Sequence, residues 1–303
     1  MGKINKKALD YAINARPEER MYIFGKDFSL FMVYYFLDYI KYPFADFHYE
    51  WFDDFKRLDA GDIKELALVA FRESAKTSFS KIFLVWLICY GKKKYINVDS
   101  FDKENAERIL FDVVSELQQN QRLISDFGQL FNERRKDDQA TVKRVSNFIT
   151  KNGVRVEAHS TQESIRGRIH GSQRPDFFLF DDIETIKTRD SKAYTKQVAD
   201  HLSEAIAGVD SGDYSIVYLG NYITEYGNIA ELEKRSKDNP RFAFRKVPVM
   251  IDGVTTWPGK YSVTDEEASV TGKVSLEERK RLLGSQVFMA EMMNMPIDES
   301  VQE

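Results

Sequence analysis

Two short segments, far apart in the sequence, constrain the fold more than any other feature. Residues 70–77 read Ala-Phe-Arg-Glu-Ser-Ala-Lys-Thr; they follow an apolar run and precede a long apolar helical pattern. This is the layout of a strand, a phosphate-binding loop and a helix whose N-terminus faces an anion. Residues 177–184 read Phe-Phe-Leu-Phe-Asp-Asp-Ile-Glu, an apolar run that ends in acids. Such a run is typical of a central parallel strand buried on both faces.

The first segment departs from the P-loop pattern, because alanine stands at positions 70 and 75 where glycine would allow unusual backbone angles. Lys76 remains to neutralise the β- and γ-phosphates, and Thr77 remains to offer its hydroxyl to Mg²⁺. The alternative is a strand-to-helix turn with a solvated lysine. We assign ATP binding to the loop and its flanks: Arg72, Glu73, Ser74, Ala75, Lys76, Thr77 and Ser78.

Three acids follow the second apolar run within four residues: Asp181, Asp182 and Glu184. A helix N-cap would explain one acid and not three. Ligands of open α/β folds bind at the carboxyl ends of parallel strands, where these acids would lie. Asp181 is our candidate Mg²⁺ ligand. The catalytic base is either Asp182 or Glu184, and we favour Glu184 for its longer reach.

The rest of the sequence alternates strand and helix patterns, which predicts a mainly parallel sheet. Strand patterns lie at residues 66–71, 95–98, 154–158, 177–180 and 215–219, and helical patterns at 28–42, 82–90, 103–119, 191–207 and 275–283. Residues 242–249 and 254–257, joined by Asp-Gly, predict a β-hairpin. We therefore expect an N-terminal helical segment (1–60), an α/β core (61–235) and a small lid or linker subdomain (236–303).

Composition agrees with this organisation and excludes several classes of protein. The 303 residues carry a net charge of −4, so any contact with nucleic acid should be local. One cysteine and four histidines make a disulfide framework or a structural zinc site unexpected. The polar N-terminus contains no signal peptide pattern, and the most apolar stretch is too short to cross a bilayer.

The motifs resemble, in order and spacing, the ATPase domain of the large terminase subunit, the DNA-packaging motor of tailed double-stranded DNA bacteriophages. The matching elements are Arg72 with Lys76, Ser-Ile-Arg-Gly-Arg at 164–168, the segment 174–184 with its acidic strand end, Tyr-Leu-Gly-Asn at 218–221, Ile-Asp-Gly with Trp-Pro at 251–258, and residues 288–296. The resemblance covers about residues 44–296. It implies an ASCE-type P-loop NTPase that hydrolyses ATP with Mg²⁺.

The resemblance also implies partners and a location. These are double-stranded DNA, the portal protein, the small terminase subunit and further copies of the same protein in a ring, all in the host cytoplasm and without a membrane. The sequence stops where the family's nuclease domain would begin, so we expect no nuclease activity. The rival interpretations are a helicase or other DNA translocase, and a nucleotide-binding assembly module that hydrolyses ATP weakly or not at all.

The remaining expectations concern a catalytic arginine and the residues that contact DNA. Arg72 could meet the γ-phosphoryl charge in cis, whereas Arg166 and Arg168 could reach the nucleotide of a neighbouring subunit. The alternative for the latter two is a surface loop that pairs with acids. Asn221 is a candidate γ-phosphate sensor, with turn capping as the alternative. The densest basic runs, 92–94 and 134–136, are candidate DNA contacts, although such runs are usually solvated faces.

Overall fold

A central β-sheet flanked by helices organises the protein, in a computed structural model that describes residues 4–131, 145–163, 173–185, 191–209 and 212–296. The strands are β1 (Glu65–Ala70), β2 (Tyr95–Ser100), β3 (Asn147–Ile149), β4 (Arg155–Ser160), β5 (Phe177–Asp181), β6 (Ser215–Gly220), β7 (Phe242–Val247), β8 (Met250–Ile251), β9 (Val254–Thr255), β10 (Tyr261–Ser262) and β11 (Val274–Ser275). The helices are α1 (Lys6–Asn14), α2 (Pro17–Lys26), α3 (Phe28–Tyr35), α4 (Asp46–Ala60), α5 (Lys76–Tyr90), α6 (Lys103–Gln119), α7 (Gln121–Phe127), α8 (Lys192–Gly208), α9 (Asn228–Lys237), α10 (Asp265–Thr271), α11 (Leu276–Leu283) and α12 (Ser285–Glu291).

The main sheet has seven strands in the order β3-β4-β2-β5-β6-β1-β7. Every neighbouring pair is parallel except β3 and β4. The strand β6 lies between β1, which leads into the candidate phosphate loop, and β5, which ends in the acids. This inserted strand is the arrangement expected for an ASCE-type fold. The predicted α/β fold with a mainly parallel sheet is therefore confirmed.

Both faces of the sheet are covered, and the central strands β1, β5 and β6 are apolar at nearly every position. All residues of β1, β2, β5 and β6 are buried. On β1, Leu66 and Leu68 pack into a core shared with α3 to α7, whereas Ala67 and Val69 pack into a second core with α8 and α9. Burial on both faces explains why β1, β5 and β6 show no alternation of apolar and polar residues. β2 is equally buried but does alternate, with Asn97 and Asp99 between its apolar residues.

The predicted strand and helix positions agree closely with the structure. The five strand patterns fall on β1, β2, β4, β5 and β6, with ends shifted by at most two residues. The pattern at 103–119 matches α6, which begins after Asp102 because the Asp102 side chain accepts a hydrogen bond from the N–H of Asn105. The helix predicted over 28–42 is shorter, because α3 ends at Tyr35 and a single 3₁₀ turn, Leu37–Tyr39, follows.

The hairpin predicted from residues 242–249 and 254–257 is wrong in its first strand. Residues 242–247 form β7, which pairs in parallel with β1 and so belongs to the main sheet. A smaller hairpin exists: β8 and β9 pair across Asp252 and Gly253, which both have positive φ angles. The physical reason is that β7 covers the edge of β1, whose N–H and C=O groups would otherwise stay unpaired. Local sequence does not show such pairing.

The predicted subdomain 236–303 therefore contributes one strand to the sheet. The division into three domains stays a prediction. The elements after β7 contact the loop that follows β1: Arg72 N–H donates to Glu291 C=O, and Lys260 Nζ donates to the Glu73 carboxylate. None of the described helices is both long enough and apolar enough to cross a membrane.

Candidate active site

The loop between β1 and α5 bends sharply at two residues. Glu73 has φ 68° and Ala75 has φ 74°, both in the left-handed region that favours glycine. Ala70, in contrast, ends a regular strand and is fully buried. Of the two alanines that replace glycines of the P-loop pattern, only Ala75 therefore carries the strain. The loop conformation forms with alanine at a cost of about 1–2 kcal/mol.

Lys76 is the first residue of α5, and its ammonium group points back across the loop. Its Nζ donates to Ala70 C=O over 3.3 Å and to Asn221 Oδ1 over 3.0 Å, and the residue is 8% exposed. Within the described residues, Lys76 forms no ion pair with a carboxylate. No side chain caps the N-terminus of α5. The first N–H groups of this helix and the Lys76 ammonium group therefore both face the space above the loop. This arrangement suits a phosphate group.

Thr77 and the acids after β5 line one cavity of about 750 Å³. Thr77 approaches from the first turn of α5, and Asp181 and Asp182 approach from the end of β5. The side of the cavity formed by α6 includes Arg108 and Asp112. The structure therefore brings together Thr77, Asp181 and Asp182, which the sequence had placed in two separate segments. Lys76 does not line this cavity, but its charge acts on the Asp181 carboxylate.

Asp181 has the environment of a cation ligand. Its carboxylate is buried, and its Oδ1 has no hydrogen-bond partner among the described residues. Burial, with the neighbouring charge of Asp182, raises the pKa of Asp181 to about 7. A divalent cation would favour the charged carboxylate, so Asp181 and the Thr77 hydroxyl fit Mg²⁺.

The two candidate bases have different surroundings. Asp182 is exposed in the cavity with φ 47°, and its N–H donates to Leu219 C=O. The Glu184 carboxylate instead caps α9: Oε1 accepts from the N–H and side-chain amide of Asn228, and Oε2 accepts from the N–H of Ile229 over 3.3 Å. Gly227 permits this approach, because a Cβ there would lie 2.7 Å from the carboxylate oxygens. The geometry thus supports Asp182 better than Glu184, whose pKa is raised by burial.

Of the remaining loop residues, Arg72 and Glu73 contact the C-terminal part of the protein, whereas Ser74 contacts α4. Arg72 Nη1 donates to Glu291 Oε2 over 2.7 Å. Glu73 accepts from Lys260 Nζ over 3.1 Å and also pairs with Arg279. Ser74 is buried, and its C=O faces His48 Nε2 at 3.0 Å. Ser78 lines a second cavity, described below.

Three predicted elements lie elsewhere. Arg166, Arg168 and the basic run 134–136 fall outside the described residues. In the run 92–94, Lys92 pairs with Asp59 and the buried Lys93 pairs with Asp213. These lysines precede β2 and so lie at the amino ends of the parallel strands, opposite the cavity. Lys92 and Lys93 are therefore held in ion pairs and are not simply solvated. The ion pair of Lys93 leaves this side chain little freedom to contact DNA.

Sequence reasoning missed a second cavity of about 520 Å³ beside the loop. Its lining is rich in aromatic rings and includes Tyr42, Phe44, Phe79 and Trp257, with His48 and Lys260. Lys260 Nζ lies 5.0 Å from the ring centre of Trp257. The aromatic spacing of residues 47–55 was a usable signal, but nothing local places Trp257 beside His48.

The imidazole of His48 holds α4 against the loop in one tautomer. Its Nδ1 accepts from the N–H of Ala45 over 2.9 Å, so its Nε2 carries the proton that is donated to Ser74 C=O. Burial lowers the pKa of His48 to about 4. The neutral ring is therefore the form that fits this site.

Comparison with known proteins identifies the fold. No protein-family model matches the sequence, and no curated protein matches it either. The chain is similar to the HK97 bacteriophage large terminase, with a TM-score of 0.52 and 10% identity over 84% of this chain and 51% of that one. The Thermus phage P74-26 large terminase ATPase domain has a TM-score of 0.41 and 15% identity, over 76% of this chain and 87% of that one. S. cerevisiae dbp5 has a TM-score of 0.43 and 11% identity, over 87% of this chain and 73% of that one.

The likeness to the HK97 protein establishes the fold at this low identity, and this chain spans about half the length of that protein. The predicted resemblance to phage large terminases is therefore confirmed for the fold.

Proposed function

We propose that the protein is an ATPase that serves as the motor domain of a viral terminase large subunit and drives double-stranded DNA into a procapsid. The observation that carries this proposal is the convergence of Lys76, Thr77 and Asp181 at the carboxyl ends of β1 and β5, two parallel strands that are separated by β6. These are the three side chains that phosphoryl transfer needs near the β- and γ-phosphates and their metal ion.

ATP would bind with its phosphates on the loop and its base in the aromatic cavity. The N-terminus of α5 and the N–H groups of residues 73–77 would face the β-phosphate, except for the N–H of Ser74, which donates to Phe71 C=O. The Lys76 ammonium would neutralise the phosphate charge. The aromatic cavity continues from Ala75 and Ser78, so a base attached to those phosphates would contact the rings of Tyr42 or Trp257. Lys260 is the charged donor available there.

Hydrolysis would take place in the larger cavity. Mg²⁺ held by Thr77 and Asp181, when bound, supplies positive charge to the phosphate oxygens. Asp182 is exposed in the same cavity and would accept a proton from the attacking water. Arg72 extends from the loop itself, and Arg166 and Arg168 remain candidates for an arginine supplied to a neighbouring subunit.

The packaging context rests on the likeness in fold to the HK97 large terminase. We infer that the partners are double-stranded DNA, the portal protein and the small terminase subunit, with the protein assembled as a ring on the portal in the host cytoplasm. Because the chain spans about half the length of the HK97 protein, these partners are proposals for the whole machine.

The direct test is Mg²⁺-dependent ATP hydrolysis by the whole protein and by Lys76→Ala. We expect the variant to lose at least about 100-fold in turnover, because it removes a charge that is aimed at the phosphates. Lys234→Ala is the matched control, since Lys234 is exposed on α9 and pairs only with Glu231 among the described residues. Equal turnover by wild type and a folded Lys76→Ala variant would refute the proposal.

A second measurement addresses the motor. ATPase rates should rise when portal-bearing procapsids and double-stranded DNA are added together, and single-stranded DNA should not replace the duplex. Stimulation by single strands alone would support the helicase interpretation instead.

A further inference from the structure

The last residue of β2, Ser100, lies beside Asp181 at the sheet edge that forms the candidate active site. The two residues are direct partners in the parallel pairing of β2 and β5. Paired residues on neighbouring strands project their side chains from the same face of a sheet. Both residues line the larger cavity together with Thr77. The Ser100 side chain is therefore a neighbour of the candidate Mg²⁺ ligands.

The Ser100 hydroxyl is buried and unpartnered. The residue has no exposed surface, and its Oγ has no hydrogen-bond partner among the described residues. Asp181 Oδ1 is unpartnered in the same sense, so the two oxygen atoms do not bond to each other. Nearly all buried polar atoms of folded proteins have a partner. Two unpartnered oxygen atoms on adjacent strands, at one cavity, indicate a polar ligand that contacts both.

The cations near Asp181 are bound to other groups. The charges of Lys76 and Lys81 both act on the Asp181 carboxylate. Lys76 Nζ donates to the side chain of the residue after β6, and Lys81 Nζ pairs with Asp112 of α6. Within the described part of the chain, neither ammonium group bonds to the two unpartnered oxygen atoms. A ligand would therefore not have to displace a lysine from them.

The backbone fixes the position of the Ser100 hydroxyl. Ser100 pairs with Asp181 on one side and with Ser160 of β4 on the other. Its C=O accepts from the N–H of Thr161 over 2.8 Å, and the Ser160 hydroxyl donates to Phe101 C=O over 2.9 Å. A serine oxygen moves only by rotation about one side-chain bond. The hydroxyl is thus held beside the carboxylate before any ligand binds.

A water molecule of a bound magnesium ion is the ligand that suits these two oxygen atoms. Mg²⁺ usually keeps several water molecules when it binds to carboxylates and phosphates. The oxygen of such a water faces the ion, so its two hydrogens point away from the metal and need two acceptors. A hydroxyl oxygen and a carboxylate oxygen can both accept. Neighbouring acceptors on β2 and β5 match the two hydrogens of one water molecule.

We propose that Ser100 is a positioning residue for Mg²⁺: its hydroxyl oxygen and Asp181 Oδ1 accept the two hydrogen bonds of one water molecule on the bound ion. This inference rests on the proposed function and adds β2 to the elements that form the metal site. By holding this water, Ser100 fixes the position of the ion relative to the Thr77 hydroxyl. Groups that hold a metal ion through another ligand typically contribute about 10- to 100-fold to its affinity.

Loss of the hydroxyl should weaken binding of the metal and not of the nucleotide itself. Ser100→Ala should raise the Mg²⁺ concentration for half-maximal binding of a non-hydrolysable ATP analogue by about 10-fold. Binding of the analogue in EDTA should stay unchanged, since it involves no metal-bound water. Without nucleotide, the variant should melt no lower than wild type, because no described group bonds to the hydroxyl.

The experiment titrates Mg²⁺ into the whole protein with the ATP analogue, and electron paramagnetic resonance of bound Mn²⁺ gives a second readout that is independent of hydrolysis. Ser100→Thr and Ser100→Val have nearly equal shapes and differ in the hydroxyl. The threonine variant should keep the metal affinity, and the valine variant should lose it. This pair cancels any effect of the added volume.

Ser80→Ala is the matched control. Ser80 is another buried serine whose hydroxyl has no partner among the described residues, but it lines neither of the two cavities. Its loss should leave the Mg²⁺ titration unchanged. Melting curves establish that each variant is folded.

Three results would overturn the inference while the proposed function survives. The first is an unchanged Mg²⁺ titration in Ser100→Ala and Ser100→Val, and the second is equal weakening in the threonine and valine variants. The third is a lower melting temperature of Ser100→Ala without nucleotide, because the hydroxyl would then serve the fold. The proposed function itself fails if wild type binds no nucleotide with Mg²⁺, or if Lys76→Ala binds it equally well.

Discussion

The ammonium group of Lys76 donates a hydrogen bond to the side-chain oxygen of Asn221 over 3.0 Å, although 145 residues separate the two in sequence. This bond joins the start of α5 to the end of β6. The same Asn221 amide donates to Glu291 C=O. Asn221 thus aligns the lysine and contacts the C-terminal part of the protein at once, which extends the predicted role of a γ-phosphate sensor.

Asn221→Ala should lower ATP turnover by about 10- to 100-fold, because a hydrogen bond to a charged group typically contributes about 1.5–3 kcal/mol. Asn221→Asp should instead weaken ATP binding, since the new carboxylate would pair with Lys76 and compete with phosphate. Steady-state kcat and KM distinguish the two effects. Wild-type kcat and KM in Asn221→Ala would show that this bond does not serve catalysis.

The acids should separate into three roles. Asp182→Asn should retain bound ATP and lose about 100-fold or more in turnover, the usual scale for a general base. Asp181→Asn should weaken Mg²⁺-dependent nucleotide binding itself. Single-turnover hydrolysis and Mg²⁺ titrations measure these effects separately.

Glu184→Gln should act mainly on stability. Its carboxylate accepts from the first N–H groups of α9, and loss of such a cap costs about 0.5–2 kcal/mol. Denaturant unfolding with parallel turnover measurements tests this. If Glu184→Gln traps ATP and Asp182→Asn hydrolyses it normally, Glu184 is the base, as the sequence analysis favoured.

The two alanines of the loop should respond to glycine in opposite directions. Ala75→Gly should raise the free energy of unfolding by about 1 kcal/mol, because glycine tolerates φ 74° without steric strain. Ala70→Gly should lower it by about 0.5–1 kcal/mol, because glycine weakens a buried strand. Chemical denaturation compares them directly. Destabilisation of equal size in both variants would contradict the assigned backbone strain.

His48 should make the fold sensitive to mild acid. Burial holds its pKa at about 4 against an ordinary value of 6.5, so the unfolded protein binds the proton more tightly. His48 does not lower the free energy of unfolding above pH 6.5, where it is neutral in both states. As the pH falls from 6.5 to 4, the free energy of unfolding decreases by about 3 kcal/mol because the unfolded protein gains the proton first. Protonation would also remove the acceptor of the Ala45 N–H.

The measurement is the free energy of unfolding from about pH 7.5 to about pH 4 for wild type and His48→Gln. The slope across the lower part of this range should be smaller in the variant. Parallel curves for the two proteins would exclude His48 as the source of the pH dependence.

Assembly should be required for fast hydrolysis if Arg166 or Arg168 acts on a neighbour's nucleotide. A mixture of the Arg166→Ala, Arg168→Ala double variant with Lys76→Ala should recover partial activity, because each protein supplies what the other lacks. Arginine fingers contribute roughly 10³ to 10⁵ in rate. ATPase assays over a range of protein concentrations test this. Turnover that is independent of concentration, with no recovery on mixing, would leave Arg72 as the catalytic arginine.

The sequence by itself determined five strands of the main sheet and the two segments that form the candidate active site. Unbroken apolar runs such as that of β5 exist because both faces of a parallel strand are covered, and this signal is contained within a few neighbouring residues. The same locality explains why Lys76, Thr77 and Asp181 could be named in advance. Strands that run parallel bring their carboxyl ends to one edge, so the meeting of the loop with the acids followed from the fold class.

Only the tertiary structure decided which groups surround these residues. The contacts of Glu184 with α9, of Arg72 with Glu291 and of His48 with Ser74 join residues that are 26 to 219 positions apart. β7 was misassigned for the same reason, since its pairing with β1 depends on an open edge elsewhere in the protein. Side-chain partners and strand pairs are selected by packing of the whole molecule, which acts through space and leaves no periodic signal in the local sequence.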